Sequence, residues 1–455
     1  MKDELPVLVV GAGPVGLAAA AHLVEAGETP LVVEAGDRVA PSLRDWGHVQ
    51  LFSPWRYNVD AVARHLLEQE GWAMPDEDAY PTGGEIVRQY LEPLAAHPRI
   101  ASHVRLATRA LGISRRGHDV MKTDRRAEAP FLAVLETPDG EDVVEAKAVI
   151  DASGTWATPN PLGAAGLPAL GERALHDRIR YGIPDVLGAE RPRYAGRRTL
   201  VVGSGHSAFN AVFDLVALAR QEPGTVVTWA VRRTSLERVF GGGENDALEE
   251  RGRLGARVRA LVDEGLLELI TGFQTERLVR TPDGIELEGG RRRVGAFDEI
   301  VAATGQRPDL SLLRELRLDL DPAVESTRAL APLIDPNEHS CGTVRPHGAV
   351  ELGHPDPDLF IVGVKSYGRA PTFLLLTGYE QVRSVVAAIQ GDWDAARDVH
   401  LELPETGVCN RSSVDDEPGC CSPGPALETT ERPLAGIAAP LAVVPPAASG
   451  SSCCR

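Results

Sequence analysis

The sequence predicts an α/β fold with two Rossmann-like dinucleotide-binding domains, the second inserted in the first. Three observations support this prediction. An apolar strand at residues 7–10 leads into the pattern G-x-G-x-x-G at residues 11–16, and another at residues 198–202 leads into G-x-G-x-x-A at residues 203–208. After the second pattern, an apolar run at residues 358–364 returns the chain to the first domain.

The first pattern has the residues that a phosphate-binding turn requires. Gly11 permits a tight turn out of the strand, Gly13 lets a pyrophosphate approach the backbone, and Gly16 lets the next helix pack closely on the sheet. The N-terminus of that helix offers free N–H groups and the positive end of its dipole to phosphates. Glu34 ends the following apolar run, where a carboxylate accepts hydrogen bonds from a ribose diol. Taken alone, this pattern allows either NAD or FAD.

The second pattern differs at its end. Gly203 and Gly205 take the first two glycine positions, and Ala208 is a small residue that still allows close helix packing. The next strand ends in Arg232 and Arg233, where the first unit has an acid. A carboxylate would repel a 2′-phosphate and an arginine pair would hold one, so this site predicts NADPH in preference to NADH. The first site is then assigned to FAD, and two such cofactors in one chain indicate a redox flavoprotein.

Length, charge and cysteine positions narrow the class of protein. With 455 residues and 43% hydrophobic residues, the chain predicts two or three globular domains. Its formal net charge of −18 argues against nucleic acid and against an anionic membrane as a partner. No leader-like segment, no apolar run of membrane-spanning length and no cysteine before Cys341 are present, so we expect a cytoplasmic protein that acts on a small-molecule substrate.

Further segments are expected around the two sites. Residues 44–58 are dense in aromatic and polar side chains and form either a loop over the cofactor or a surface loop with aromatic anchors. The apolar strands at residues 148–154 and 297–305 each end in a turn of small residues and are expected to bracket the inserted domain. A helix is predicted from about residue 374 to residue 390. Its N-terminus, opposite the flavin pyrimidine, would stabilise negative charge on the reduced ring. Thr377 and Gly378 are the candidate contacts.

These segments divide the chain into five parts. The final part is rich in Pro, Gly, Ser and Ala and has almost no aromatic residues, so we expect a disordered tail. The predicted parts are the first FAD-binding segment (1–165), a linker (166–197), the NADPH-binding domain (198–302), the second FAD-binding segment (303–403) and the tail (404–455).

The combined motifs resemble the two-dinucleotide-binding flavoproteins, and most of all the flavin-containing (class B) monooxygenases. The resemblance covers about residues 5–395 and implies FAD and NADPH as cofactors, with Gly305 among the cofactor-binding residues. The matching residues are 11–16 with Glu34, 203–208 with Arg232, the run Ala-Thr-Gly-Gln-Arg-Pro-Asp at 303–309, and residues 81–90.

The resemblance implies an O₂-dependent reaction in which a C4a-(hydro)peroxyflavin transfers oxygen to a soft heteroatom of the substrate. It places Asn58 near the flavin as a catalytic candidate, with a turn asparagine as the alternative interpretation. The fingerprint that the family carries between its two glycine turns is degenerate here, because residues 170–181 have Leu for the aromatic residue and shifted Gly and Tyr positions. His176 in that segment is either functional or a simple linker residue, and a homodimer is left open as the assembly.

The cysteines of the predicted tail form a separate signal. Adjacent thiols bind soft thiophilic ions. Together with the run at residues 365–373, this arrangement resembles the flavoprotein monooxygenases of arsenic-resistance gene sets, which implies trivalent arsenic as a candidate oxygen acceptor. The alternatives are a disulfide or metal-ion reductase that uses the tail thiols, a metalloid-binding flavoprotein sensor, and a tail without a role. The predicted metal or metalloid ligands are Cys409, Cys420, Cys421, Cys453 and Cys454.

Overall fold

The computed structural model describes residues 4–234, 257–336, 345–370 and 373–400, all of which lie in one compact unit, Met1–Asn410. The predicted tail therefore lies outside the described residues from residue 401 onward. The described strands are β1 (Val7–Val10), β2 (Pro30–Val33), β3 (Val104–Arg105), β4 (Arg109–Arg115), β5 (Phe131–Thr137), β6 (Gly140–Ala146), β7 (Ala148–Asp151), β8 (Ile179–Tyr181), β9 (Arg198–Val202), β10 (Val226–Ala230), β11 (Glu268–Ile270), β12 (Arg277–Thr281), β13 (Gly284–Gly289), β14 (Arg292–Phe297), β15 (Glu299–Ala302) and β16 (Leu359–Ile361).

The helix that follows each glycine pattern begins directly after a glycine and is mostly buried. Short 3₁₀ turns occur at Trp55–Tyr57, Arg173–Arg178 and Gly363–Tyr367, and a π turn at Val87–Leu91 joins two helices into one segment. The described helices are α1 (Pro14–Glu25), α2 (Pro41–Asp45), α3 (Ala61–Gln69), α4 (Gly83–Ile86), α5 (Glu92–Ala96), α6 (Arg191–Tyr194), α7 (His206–Ala219), α8 (Ala331–Ile334), α9 (Ala349–Leu352), α10 (Leu375–Ile389) and α11 (Trp393–Arg397).

The first sheet is parallel and has the strand order β16-β7-β1-β2-β3. All four residues of β1 and of β7 are buried, because helices or other strands cover both faces of a parallel sheet. The strand β16 follows every strand of the second sheet in the sequence and yet pairs with β7. One sheet is thus inserted within the other along the chain, which confirms the predicted fold class.

The second sheet is also parallel, with the strand order β11-β10-β9-β15-β8. Its edge strand β8 lies within residues 166–197, which the sequence assigned to a linker. The sequence did not predict this strand because β8 has three residues and only one of them, Ile179, is buried. Such a strand carries no apolar run that sequence patterns can detect.

Two antiparallel sheets, β4-β5-β6 and β12-β13-β14, complete the described fold. Apolar residues of β5, among them Phe131 and Leu135, pack with Leu8 and Val149 of the first sheet in one buried cluster. The strand β4 was not predicted, because its residues alternate mainly between exposed and half-buried positions and include Gly112 and three charged or polar side chains. This small sheet supports the first parallel sheet from one face.

Two crossing segments, residues 155–161 and 303–309, connect the two parallel sheets side by side. The Asn160 amide donates to the Gly305 carbonyl oxygen at 2.8 Å, and the Arg307 amide donates to the Thr158 carbonyl oxygen at 3.0 Å. The Arg307 Nε also donates to Asn160 Oδ1 at 2.9 Å. This double connection lies between the carboxyl ends of the two sheets. Parallel sheets bind ligands at these ends of their strands.

Candidate cofactor and active site

The first glycine turn, residues 11–16, is closed on one side and open on the other. An ideally placed Cβ on Gly11 would lie 2.8 Å from the Ala152 carbonyl oxygen, and one on Gly16 would lie 1.9 Å from the Gly11 carbonyl oxygen. An added Cβ on Gly13, in contrast, would meet no atom within 4 Å. Strand, turn and helix are therefore in contact behind the turn, while its Gly13 side leaves room for a pyrophosphate.

Glu34 stands directly after β2 and is 7% exposed. Its Oε2 accepts a hydrogen bond from the Ala12 amide at 2.9 Å, and its Oε1 accepts one from the Gly36 amide at 2.9 Å. A carboxylate has about four acceptor positions, so this geometry orients the group against the turn and leaves acceptor capacity for a ribose hydroxyl. The residues of the first site fit the adenosine and pyrophosphate parts of FAD.

The second glycine turn, residues 203–208, repeats this geometry on the second sheet. An ideal Cβ on Gly203 would lie 2.1 Å from the Ala303 carbonyl oxygen, so Ala303 after β15 takes the place that Ala152 has after β7. Gly205 has open space around its Cβ position, and Ala208, in the first turn of α7, is fully buried. The turn is also fixed by the Trp229 Nε1, which donates to the Gly203 carbonyl oxygen at 2.7 Å.

Arg232 and Arg233 follow β10 and are both exposed. Arg232 Nη1 donates to the Ala164 carbonyl oxygen at 3.2 Å, and the Arg233 carbonyl oxygen accepts from the Gly272 amide. Two exposed guanidinium groups thus stand where the first unit has its tethered carboxylate. This charge difference fits an NADPH 2′-phosphate, and the contact itself stays a prediction.

The N-terminal turn of α10 lies against the first glycine turn. An ideal Cβ on Gly378 would be 2.7 Å from Val15 Cγ2 and 2.8 Å from Phe373 Cζ, so only glycine fits here. Thr377 beside it is buried. Gly363, in the turn after β16, is in contact with Val15 as well. The structure therefore brings the two residues proposed for the flavin ring next to the first turn, while their cofactor contact is still a prediction.

Gly305 lies in the double connection between the sheets and not in either glycine turn. Its φ of 84° is a left-handed conformation that favours glycine, and its carbonyl oxygen accepts the Asn160 amide. This conformation already explains the glycine, and its predicted cofactor contact remains a prediction.

Asn58 is 1% exposed and has its side-chain donors occupied. Its Nδ2 donates to the carbonyl oxygens of Ser53 and Pro54 at 2.8 and 2.9 Å, and its Oδ1 accepts from Ser53 Oγ at 2.9 Å. The Tyr379 hydroxyl, on α10, donates to the Asn58 carbonyl oxygen at 2.8 Å. These contacts make Asn58 a residue that positions its own loop against α10. A direct catalytic role stays a prediction.

Residues 44–58, which we call the bridging loop, connect the first domain to the second glycine turn. The Phe52 ring lies 5.2 Å from the His206 ring at the start of α7, and the Trp46 ring lies 6.4 Å from the Trp156 ring in the crossing segment. Trp156 Nε1 donates to Asp45 Oδ2 at 2.9 Å. These aromatic contacts fit both sequence interpretations, and a position of the loop over the cofactor stays a prediction.

Asp214, an acid on α7 near the bridging loop, has a raised pKa. Burial raises the pKa of Asp214 to about 6, and the nearby Asp185 carboxylate adds to this effect. His48 of the bridging loop and Arg257 oppose it by favouring the charged form. No sequence pattern indicates this group, because an aspartate within a helix is ordinarily a solvated residue.

A buried charge pair next to the first glycine turn was also missed by sequence reasoning. Lys365 Nζ lies 2.7 Å from Asp151 Oδ2 and donates to Ser153 Oγ at 2.9 Å. The available signal was Asp151 itself, a charged residue at the end of the buried strand β7.

Other predicted residues are not brought to the site. His176 is exposed on the 3₁₀ turn Arg173–Arg178, where its Nδ1 lies 3.2 Å from the Arg173 carbonyl oxygen. The predicted ligands Cys409, Cys420, Cys421, Cys453 and Cys454 all lie outside the described residues. Within the part of the chain that the structure describes, no cluster of three or more His, Cys, Asp or Glu side chains could hold a metal ion. The described helices include none long and apolar enough to cross a membrane, and a homodimer stays a prediction.

Comparison with known proteins identifies the family. The family model for the pyridine nucleotide-disulphide oxidoreductases matches residues 8–341. The indole-3-pyruvate monooxygenase YUCCA1 of rice (Oryza sativa subsp. japonica) is 28% identical over 218 residues, which are 46% of this chain and 44% of that protein. The chain thus matches less than half the length of this curated relative.

Solved structures share the fold at low sequence identity. The bacillithiol disulfide reductase of Bacillus cereus has a TM-score of 0.61 and 20% identity, covering 85% of this chain and 99% of that one. The ornithine N-hydroxylase of Kutzneria sp. 744 has a TM-score of 0.57 and 18% identity, with 85% and 99% covered. A flavin-containing monooxygenase from Stenotrophomonas maltophilia has a TM-score of 0.52 and 20% identity, with 85% and 98% covered. At these identities the likeness concerns the fold alone.

Proposed function

The chain belongs to the pyridine nucleotide-disulphide oxidoreductase family, with FAD and NADPH as cofactors, and from that premise we propose that it is an O₂-dependent monooxygenase. In the proposed reaction NADPH supplies two electrons, one oxygen atom of O₂ bonds to the substrate, and the other leaves as water. The rice relative, which is named as a monooxygenase, supports this choice within the family.

The observation that carries the proposal is the position of the cysteines. None of the six cysteines precedes Cys341, and no described residue is a cysteine, so neither parallel sheet brings a thiol to the flavin site. Disulfide exchange requires an attacking thiolate. Reduction of O₂ at a flavin requires no thiol, because the bound cofactor itself supplies the electron transfer and the oxygen chemistry.

The protein residues have binding and shielding roles in this proposal. Gly11 and Gly13 bind the FAD pyrophosphate through the backbone, and Glu34 accepts a ribose hydroxyl. Arg232 and Arg233 bind the NADPH 2′-phosphate. The bridging loop, held by Asn58 and in contact with the second glycine turn through Phe52, covers the space between the two sites and excludes water.

The proposed substrate is a compound with a soft, electron-rich heteroatom, and trivalent arsenic is the specific candidate. Its lone pair can accept an electrophilic oxygen atom. The cysteines of the predicted tail support this choice, because adjacent thiols bind thiophilic metalloids and a tail can deliver them to a site. Within this proposal the tail captures substrate and takes no part in electron transfer.

The test is NADPH consumption with and without arsenite or an organoarsenical, under ¹⁸O₂, with the products identified by mass spectrometry. We expect substrate-dependent NADPH oxidation and one ¹⁸O atom in the product. The matched variant Cys420→Ser/Cys421→Ser should raise the KM for the arsenical and leave the rate at saturation unchanged.

Two results would favour the alternatives. Anaerobic turnover with a disulfide or metal ion that the Cys420→Ser/Cys421→Ser variant loses indicates a reductase that uses the tail thiols. Binding of arsenite without sustained NADPH consumption indicates a metalloid sensor. Either result contradicts the monooxygenase proposal.

A further inference from the structure

A buried ion pair lies at the carboxyl edge of the first sheet. Lys365 is 2% exposed and Asp151 is fully buried, and the ammonium nitrogen is 2.7 Å from Asp151 Oδ2. Asp151 is the last residue of β7, and Lys365 lies in the turn Gly363–Tyr367 that directly follows β16. Because β16 and β7 are neighbouring parallel strands, the pair ties together two segments at the edge where such sheets bind ligands.

Ser153 extends the pair to the first glycine turn. Its Oγ accepts from Lys365 Nζ at 2.9 Å and donates to Asp151 Oδ1 at 2.6 Å, and its amide donates to the same oxygen at 3.1 Å. The Cα of Ser153 is only 3.0 Å from the position of an ideal Cβ on Gly11. The ion pair therefore backs the turn that is assigned to the FAD pyrophosphate.

The turn Gly363–Tyr367 also lies next to the residues of the proposed flavin site. Gly363 contacts Val15 of the first glycine turn, and Gly378 at the start of α10 is 3.5 Å from Gly363 when an ideal Cβ is placed on it. Val364, next to Lys365, is 38% exposed although it is apolar, and Ser153 is exposed as well. These residues line an open surface between the first glycine turn and α10.

A second acid, Asp309 of the crossing segment 303–309, interacts electrostatically with the lysine. Hydrogen bonds from Ser311 hold the pKa of Asp309 below its ordinary value, and the positive charge of Lys365 contributes to that lowering. Asp309 ends the crossing segment 303–309. Three segments thus meet around the Lys365 ammonium group: the end of β7, the turn after β16 and the crossing segment 303–309.

Stability alone is a poor explanation for this pair. Taking two charges out of water costs about as much as their attraction returns, so buried pairs are weak stabilising devices and act more often by fixing an arrangement. The chain also has a buried pair away from the cofactor sites, Arg126 with Asp356, at 2.8 Å. Asp356 precedes β16 and lies at the opposite, amino edge of the sheet. This second pair serves as a control for purely structural effects.

We propose that Lys365 and Asp151 are positioning residues of the FAD site, which hold the turn Gly363–Tyr367 against the first glycine turn and set the charge beside the flavin. The proposal rests on FAD as the cofactor and does not depend on oxygen transfer. Loss of the lysine leaves a buried negative charge, which opposes the negative charge that the flavin gains on reduction. Loss of the carboxylate leaves a positive charge with the opposite effect.

The test compares Lys365→Met, Asp151→Asn and the double variant as full-length holoenzymes. FAD dissociation is followed by flavin fluorescence on dilution, and the flavin reduction potential by equilibration with a reference dye. We expect Lys365→Met to raise the Kd for FAD about tenfold and to lower the potential. Asp151→Asn should raise the potential, and the double variant should return it towards the unmodified value.

Arg126→Lys is the matched control, and it should lower the Tm without a change in FAD affinity or potential. Single variants that shift the potential in the same direction, or that leave both FAD affinity and potential unchanged, would overturn the proposal. If Lys365→Met does not fold, the sign of the Asp151→Asn shift decides the question alone. Because neither measurement involves O₂ or an arsenical, failure of the proposed monooxygenase activity would leave this test intact.

Discussion

The two glycine turns share one backbone plan and differ in how tightly each is held. In both, an alanine after a neighbouring strand, Ala152 or Ala303, closes the space behind the first glycine. The first turn is then fixed further by Glu34, which is buried and accepts two backbone amides. The second turn has exposed arginines at the corresponding position. A preformed, tethered site suits a cofactor that stays bound, and an open, charged site suits one that must enter and leave.

The third position of the pattern shows the same contrast. Gly16 has no room for a Cβ, because the Gly11 carbonyl oxygen would be 1.9 Å away. The second unit has Ala208 there, whose methyl group is fully buried within the core cluster of that domain. Helix α1 is thus closer to its turn than α7 is to the second turn. Substitutions that exchange these features test whether this difference controls cofactor retention.

The largest effect is expected for Gly16→Ala. The new methyl group meets a backbone carbonyl oxygen that cannot move without displacing β1, so the helix must shift. Overpacking of this kind costs about 1–3 kcal/mol or more. We expect loss of FAD during gel filtration, measured as flavin absorbance per protein, and a lower Tm.

The reciprocal change Ala208→Gly is the matched control. It removes one buried methyl group and places glycine near the helix start, at a cost of roughly 1 kcal/mol. NADPH affinity and FAD content should stay nearly unchanged. Equal losses of FAD in both variants would contradict the difference between the two turns.

The second effect concerns charge. Arg232→Ala/Arg233→Ala should raise the KM for NADPH about 10- to 100-fold, because a charge-assisted contact contributes about 1.5–3 kcal/mol. The KM for NADH should not change, since NADH has no 2′-phosphate. Steady-state kinetics with both nucleotides measure this selectivity.

Arg220→Ala provides the control on the same domain. Arg220 caps the far end of α7 and pairs with Glu264, so its removal changes the net charge without touching the second glycine turn. A similar rise in the KM for NADPH in this variant would assign the effect to general electrostatics and not to the pair Arg232 and Arg233.

Sequence patterns predicted the parts of this molecule whose structure depends on residues close together in the chain. The strand, turn and helix at Gly11 and at Gly203 follow from neighbouring residues, and so does the helix that begins at Leu375. The insertion was predicted because the apolar run that forms β16 follows the second pattern. The strands, turns and helices need only a short window of sequence, and the insertion needs only the order of these patterns along the chain.

The rest depends on contacts between distant segments. Lys365 and Asp151 are 214 positions apart, and nothing in either neighbourhood predicts that they meet. Asn58 was proposed only because of the resemblance to the monooxygenases. Its partner Tyr379 lies 321 positions away on α10. The strand β8 was missed because its pairing with β15, and not its composition, makes it a strand.

The third effect is on stability alone, without a change at either cofactor site, and arises from Asp214 on the helix after the second turn. Its pKa of about 6 lies above the ordinary aspartate value of 3.8, with burial as the main cause. The folded state therefore binds more protons than the unfolded state between about pH 4 and pH 6, and the free energy of unfolding falls as the pH rises through that window. Asp214→Asn should remove this slope and raise stability at pH 7 by about 1–3 kcal/mol.

Urea unfolding of Asp214→Asn between pH 4 and pH 8 measures this slope, and Asp298→Asn in the same domain is the control, which should leave the slope in this range unchanged. Hydrogen bonds from Arg198 lower the pKa of Asp298 below 3.8, so its stabilising contribution is constant above about pH 4 and is lost only as the pH falls further. His48 of the bridging loop affects the same pKa. Like Arg257 it favours the charged form of Asp214, whereas Asp185 favours the neutral form. An unchanged slope in Asp214→Asn would mean that the second unit carries no such electrostatic cost.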